Sequence, residues 1–168
     1  MTRQQQGYDR CVARPKRLTE DQRLLWKAYR DLFQGLSSAL QAQLNRDTAL
    51  SGSEYAVLVA LSHTPGGVLR ARELIAELGW DRSRLSHLIK RMEKRGLVGR
   101  EECSDDARGA MLRLTDAGRA AVEDAVPEHS EAVRRYFFNP LSKDELETLA
   151  VVFDRLLDSL AQQGVLDR

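Results

Sequence analysis

A chain of 168 residues with 42% hydrophobic and 30% charged side chains has the balance of an ordinary globular domain and can bury a sizeable core. No run approaches the roughly 18 apolar residues of a membrane span, the opening MTRQQQGYDRCVARPKR lacks the apolar stretch of a secretory leader, and two cysteines are too few for a disulfide framework, so the expected compartment is the reducing cytoplasm. A net charge of +1 would argue against a nucleic-acid partner if it were evenly spread, but residues 70–100 carry nine basic against four acidic groups and residues 101–168 carry eight basic against fifteen acidic.

Residues 1–17, with five basic groups, one acid and no periodicity, are expected to form a flexible basic arm. From Leu18 to about Arg46, Leu25, Leu32, Leu36, Leu40 and Leu44 recur at spacings of four and seven, which predicts a long helix with an apolar stripe. The run SGSE, Ser51 to Glu54, is a capping box that opens a second helix through about Ser62. TPGG, Thr64 to Gly67, stops it. A short helix from about Ala71 to Leu78 ends at Gly79, and Asp81 caps another that runs to Arg95 and closes at Gly96. Leu97 to Arg100 and Ala110 to Leu114 read as short strands joined by the polar hairpin loop Glu101 to Gly109. Thr115 caps a helix that continues past Pro127, with a kink expected there, towards Phe138. Asn139 and Pro140 break it, and the capping box SKDE, Ser142 to Glu145, opens a last helix to about Gln162.

The helix after Asp81 carries the chemistry. Leu85, Leu88, Ile89 and Met92 fall within about 100° on the helical wheel and form its core face. Ser83, His87, Lys90 and Lys94 then lie opposite, flanked by Arg84, Ser86 and Arg91. Such groups donate to phosphate oxygens and to guanine N7 and O6, and a major groove admits a helix. Arg82, together with Arg70 just before the preceding helix and Arg72 within it, extends the basic segment. The hairpin offers a second contact: its loop holds Asp105, Asp106 and Arg108, an arginine at a loop tip can enter a narrow minor groove, and a neighbouring carboxylate can orient it. The bland alternative for each element taken singly is a solvated basic helix and a surface turn. Helix, tight turn, basic helix and hairpin in that order favour the DNA reading.

Two stretches, LIAELGWDRSRLSHLIKRMEKRGLV from Leu74 to Val98 and DDARGAMLRLTDAG from Asp105 to Gly118, resemble the MarR-type winged helix-turn-helix regulators, and the similarity runs from about Leu18 to Leu160. The resemblance implies a mainly α fold with a small β-hairpin wing, in which a winged helix-turn-helix lobe, residues 50–114, joins a helical dimerisation layer, residues 18–47 and 115–163, with a tail at 164–168. It also implies a homodimer on a palindromic operator, Arg108 as the minor-groove residue held by Asp106, and, for many members, a repressor released by a small ligand. The apolar stripes of the first and last helices point independently to a partner copy.

The sequence has no Gly-rich phosphate loop and no nucleophile elbow, and His63, His87 and His129 lack partners at metal-ligand spacing, so neither catalysis, a metal nor a cofactor is expected. A module for protein contacts alone fits the exposed basic face poorly. A redox-responsive regulator would use Cys11, beside Arg10 and Arg14, or Cys103, beside two acids; neither matches well the place of the reactive cysteine in peroxide-sensing members. Trp26, Tyr29, Phe33 and Tyr55 are candidate lining for a small aromatic ligand, against the plainer reading of core aromatics.

Overall fold

The computed structural model describes residues 17–101 and 111–166. The chain divides into two compact units, Met1–Gly35 and Leu36–Arg168, with the first long helix, α1 (Glu20–Asp47), contributing to both. Glu20 and Asp21 in its first turn and Arg46 in its last complement the helix dipole. Within the first unit the described residues are exposed throughout, including Leu24, Leu25, Trp26, Tyr29, Leu32 and Phe33.

The second unit is built around α2 (Gly52–His63), which is apolar on most of its circumference and buries Val57, Leu58, Ala60 and Leu61. Its start is the reciprocal cap expected from the sequence: Ser51 Oγ accepts from the Glu54 amide at 3.3 Å and the Glu54 carboxylate accepts from the Ser51 amide at 2.9 Å. A 3₁₀ turn over Pro65–Gly67 leads into β1 (Val68–Arg70), a strand absent from the sequence reading. Three residues are too few to show an alternating pattern. Then come α3 (Ala71–Leu78), α4 (Arg82–Lys94), β2 (Val98–Glu101) and β3 (Met111–Leu114). Gly79, at φ 63° and ψ 30°, supplies the left-handed residue that ends α3 and starts the tight turn into α4. The three strands form an antiparallel sheet in the order β1-β3-β2, with Val68 opposite Arg113 and Val98 opposite Leu114. The mainly helical architecture with a small β wing is therefore as expected, with one strand more.

Thr115 caps α5 (Asp116–Val133) by accepting from the Gly118 amide at 3.0 Å. Here α5 meets the wing so closely that a Cβ on Gly118 would lie 2.0 Å from the Leu97 carbonyl oxygen. The helix runs through Pro127 and then widens into a π turn over Arg134–Phe138, where the Asn139 amide donates to the Arg134 carbonyl at 2.8 Å. Ser142 and Glu145 form the second reciprocal cap and open α6 (Lys143–Gln162), which buries none of its residues. One continuous core joins Leu44 and Leu50 to α2, the α3–α4 pair, the sheet and the Val122–Ala125 face of α5. Among the described residues no helix is long and apolar enough to cross a membrane.

Candidate nucleic-acid interface

The two faces of α4 separate as the wheel predicts. Leu85, Leu88, Ile89 and Met92 are buried, and Arg82, Ser83, Arg84, Ser86, His87, Lys90, Arg91 and Lys94 are exposed. Asp81 starts the helix, accepting from the Arg84 amide at 2.8 Å. The single acid within α4, Glu93, is held in an ion pair with Arg100 of β2 at 2.9 Å, so its charge is neutralised away from the basic face. Ser53, in the first turn of α2, completes a shallow basic cleft with Arg84, His87, Lys90, Arg91 and Lys94. The cleft is lined by cations, an imidazole and a hydroxyl and by no carboxylate, a lining suited to an anion.

Two arginines behave differently from the rest. The Arg84 guanidinium lies 4.2 Å above the centre of the Trp80 ring and donates from Nη2 towards Ser53 Oγ at 3.4 Å. Arg95, just past α4, donates from Nη1 to Glu54 at 2.7 Å and from Nη2 to the Ala49 carbonyl at 2.7 Å, pinning the end of α4 to the α1–α2 connection. Burial pushes the Glu54 carboxyl up, but the Ser51 amide and hydroxyl together with Arg95 outweigh it and leave the group below its ordinary value. Neither Trp80, Ser53 nor Arg95 stood out in the sequence. The signal available was the four-residue spacing of Trp80 and Arg84 across the turn.

The other expected site residues fall in several places. Arg70, partly exposed, ends β1 and precedes α3, where its amide donates to Glu73 at 3.3 Å, and Arg72 is exposed with Glu73 4.0 Å away. Arg113 of β3 pairs with Glu101 of β2 at the base of the wing. Asp106, Arg108, Cys11 and Cys103 lie outside the described residues. In the first unit Trp26 stacks on Tyr29 at 5.2 Å and Tyr29 on Phe33 at 6.4 Å, with all three exposed. In the second, the partly buried Tyr55 tilts against the His129 ring at 4.5 Å. Burial raises the Tyr55 phenol and lowers the His129 imidazole. Among the described residues no three His, Cys, Asp or Glu side chains group as a metal site would require.

A sequence model of the MarR family matches residues 50–109, the stretch from the cap of α2 into the wing. A MarR family transcriptional regulator from Streptomyces coelicolor, solved in complex with DNA, is 34% identical with a TM-score of 0.82, covering 88% of this chain and 92% of that one. The chain belongs to the MarR family of transcription regulators. Within the family it is also similar to the PcaV regulator of S. coelicolor solved with its natural ligand, at 29% identity and a TM-score of 0.64 over 76% of this chain and 89% of that one. The transcriptional repressor MprA of Escherichia coli is 25% identical over 136 residues, 80% of this chain and 74% of its own length. These relatives are transcription regulators by name, which favours the regulator reading over a module for protein contacts alone.

Proposed function

We propose that this MarR family member is a dimeric, sequence-specific DNA-binding repressor that lets go of a palindromic operator when a small aromatic ligand binds. The observation that carries the DNA reading is α4, whose outward face is hydroxyl, imidazole and cation while its one acid is paired with Arg100 of β2. In this reading α4 enters the major groove. Arg84 and His87 read base edges; Arg82, Ser83, Ser86, Lys90 and Arg91 hold phosphates; and Arg70 and Arg72 extend the contact along the backbone. Arg108, oriented by Asp106, enters the flanking minor groove. The DNA-binding lobe is residues 50–114, the dimerisation helices are 18–47 and 115–163, and residues 1–17 add a basic arm.

The dimer is supported by the apolar face of α6, where Val152, Phe153, Leu156, Leu157 and Leu160 are 39–56% exposed. The N-terminal part of α1 also leaves Leu25, Leu32 and Phe33 open. The related PcaV was solved with its natural ligand, and an aromatic effector has ring surfaces to stack on here: the Trp26–Tyr29–Phe33 stack, and separately Tyr55. Release requires the effector to bind the DNA-incompetent state more tightly. A regulator of this kind works in the cytoplasm and is not an enzyme. Titrations of wild type and Arg84→Ala on selected and scrambled duplexes at two salt concentrations test the reading. The variant is expected to relax preference at defined base pairs, and identical behaviour of the two proteins on both duplexes rejects the docking. Aromatic acids screened against the wild-type complex are expected to include one that weakens binding.

A further inference from the structure

Most cations of α4 stand free: Arg82, Lys90 and Arg91 have no hydrogen-bond or ion-pair partner among the described residues. A free, flexible cation suits a phosphate, which presents charge in many directions and asks for little orientation. Reading a guanine is different, because both acceptors, N7 and O6, must be met by the edge of one guanidinium in one plane. Arg84 alone on this face is held that way. The planar group lies over the Trp80 ring with its carbon 4.2 Å from the ring centre, and Nη2 reaches Ser53 Oγ at 3.4 Å. The two supports come from different elements. Trp80 sits in the α3–α4 turn, packed against the core, while Ser53 sits in the first turn of α2. The ring holds the cation from one side and Ser53 takes one donor, and the remaining guanidinium donors have no hydrogen-bond partner among the described residues.

We propose that Trp80 and Ser53 are positioning residues that fix the direction of the Arg84 guanidinium, so that operator selectivity, rather than overall affinity for DNA, depends on them. The proposal rests on the DNA-binding reading above. With the plane set before contact, Arg84 gives up little freedom when it meets the right base and cannot swing to satisfy a wrong one.

The test uses the full chain and duplexes selected by the wild type from a random-sequence pool, with single base-pair variants of the selected sequence and a scrambled duplex. Trp80→Leu, Trp80→Phe, Ser53→Ala, Arg84→Ala and the Trp80→Leu/Arg84→Ala double variant are titrated at two salt concentrations. Removing the ring is expected to lower the selected-to-scrambled affinity ratio about tenfold, the range of one good bidentate base contact. The loss should fall on the base pairs that Arg84→Ala relaxes. Affinity for scrambled DNA and its salt slope should stay as in wild type, and Trp80→Leu should add nothing once Arg84 is gone. Ser53→Ala and Trp80→Phe should relax the same base pairs by a smaller factor. A merely structural Trp80 would weaken binding to all duplexes alike, and that result overturns the proposal, as does an equal loss from Trp80→Leu with and without Arg84. If Trp80→Leu does not fold, unchanged base preference in both Ser53→Ala and Trp80→Phe overturns it. Failure of the underlying reading shows separately, in a wild type that selects no sequence.

Discussion

At the scale of single residues, Gln43 and His129 lock each other. The Gln43 Nε2 donates to Asp47 at 3.2 Å, which turns the amide so that its oxygen faces His129 Nδ1 at 2.9 Å. The imidazole must therefore donate from Nδ1, and burial holds it below the ordinary histidine value. The unfolded chain takes up this proton near pH 6.5, while the folded chain resists until lower pH. The stability owed to neutral His129 is therefore whole above roughly pH 6.5 and drains as pH falls towards the lower folded value. Urea midpoints measured from about pH 7.5 down to about pH 5.5 should fall in the wild type, and less steeply in His129→Gln. An equal slope in both would rule His129 out as the cause. Glu54 titrates further down: its carboxyl is held below the ordinary value, so its contribution is present above roughly pH 4.3 and lost below. Arg95→Met would leave the 8%-exposed Glu54 side chain without its cation. Because Arg95 itself keeps 39% of its surface in water, the expected cost is about 1–2 kcal/mol, read as a drop in urea midpoint at pH 7.

At the scale of elements, the sequence announced whatever was local. Both capping boxes, the Gly79 stop, the Asp81 cap and the four-residue core stripe of α4 involve neighbours within a turn or two, and each stands where the spacing put it. β1 did not show, because three residues have no period and its reason to be a strand is pairing with β3, some forty positions later. The same distance hid two polar contacts: Arg95 finds Glu54 41 positions back, and His129 finds Gln43 86 positions back. The exposed basic face of α4 was legible because it needs only the helix; the approach of Arg84 to the Trp80 ring needs a side-chain direction that spacing leaves open. Gly118 gives an element-scale test. A helical Gly→Ala change ordinarily stabilises, but here the new methyl would collide with the Leu97 carbonyl. Gly118→Ala should cost about 1–3 kcal/mol by urea unfolding, through displacement of α5 from the wing. A neutral or stabilising result would mean that the contact yields without strain.

At the scale of the whole molecule, charge and apolar surface are segregated along the chain. The +5 of residues 70–100 falls on the segment that carries α4, and the −7 of residues 101–168 falls largely on α5 and α6, the latter with an exposed apolar face. A net charge near zero therefore conceals a segment basic enough to attract a polyanion. Light scattering at micromolar concentration should give about twice the chain mass of 19.0 kDa. Phe153→Asp with Leu157→Asp, on the open face of α6, should give a monomer of unchanged helicity that binds a selected operator at least about a hundredfold more weakly, since two half-sites no longer act as one. The central functional claim is that α4 reads DNA sequence. Its most direct test is to pass a random-sequence duplex pool over the purified wild-type chain at physiological salt and sequence what is retained. The expected result is an enriched palindrome with half-sites centred about one helical turn apart; retention without any enriched sequence, or no retention at all, would contradict sequence reading by α4.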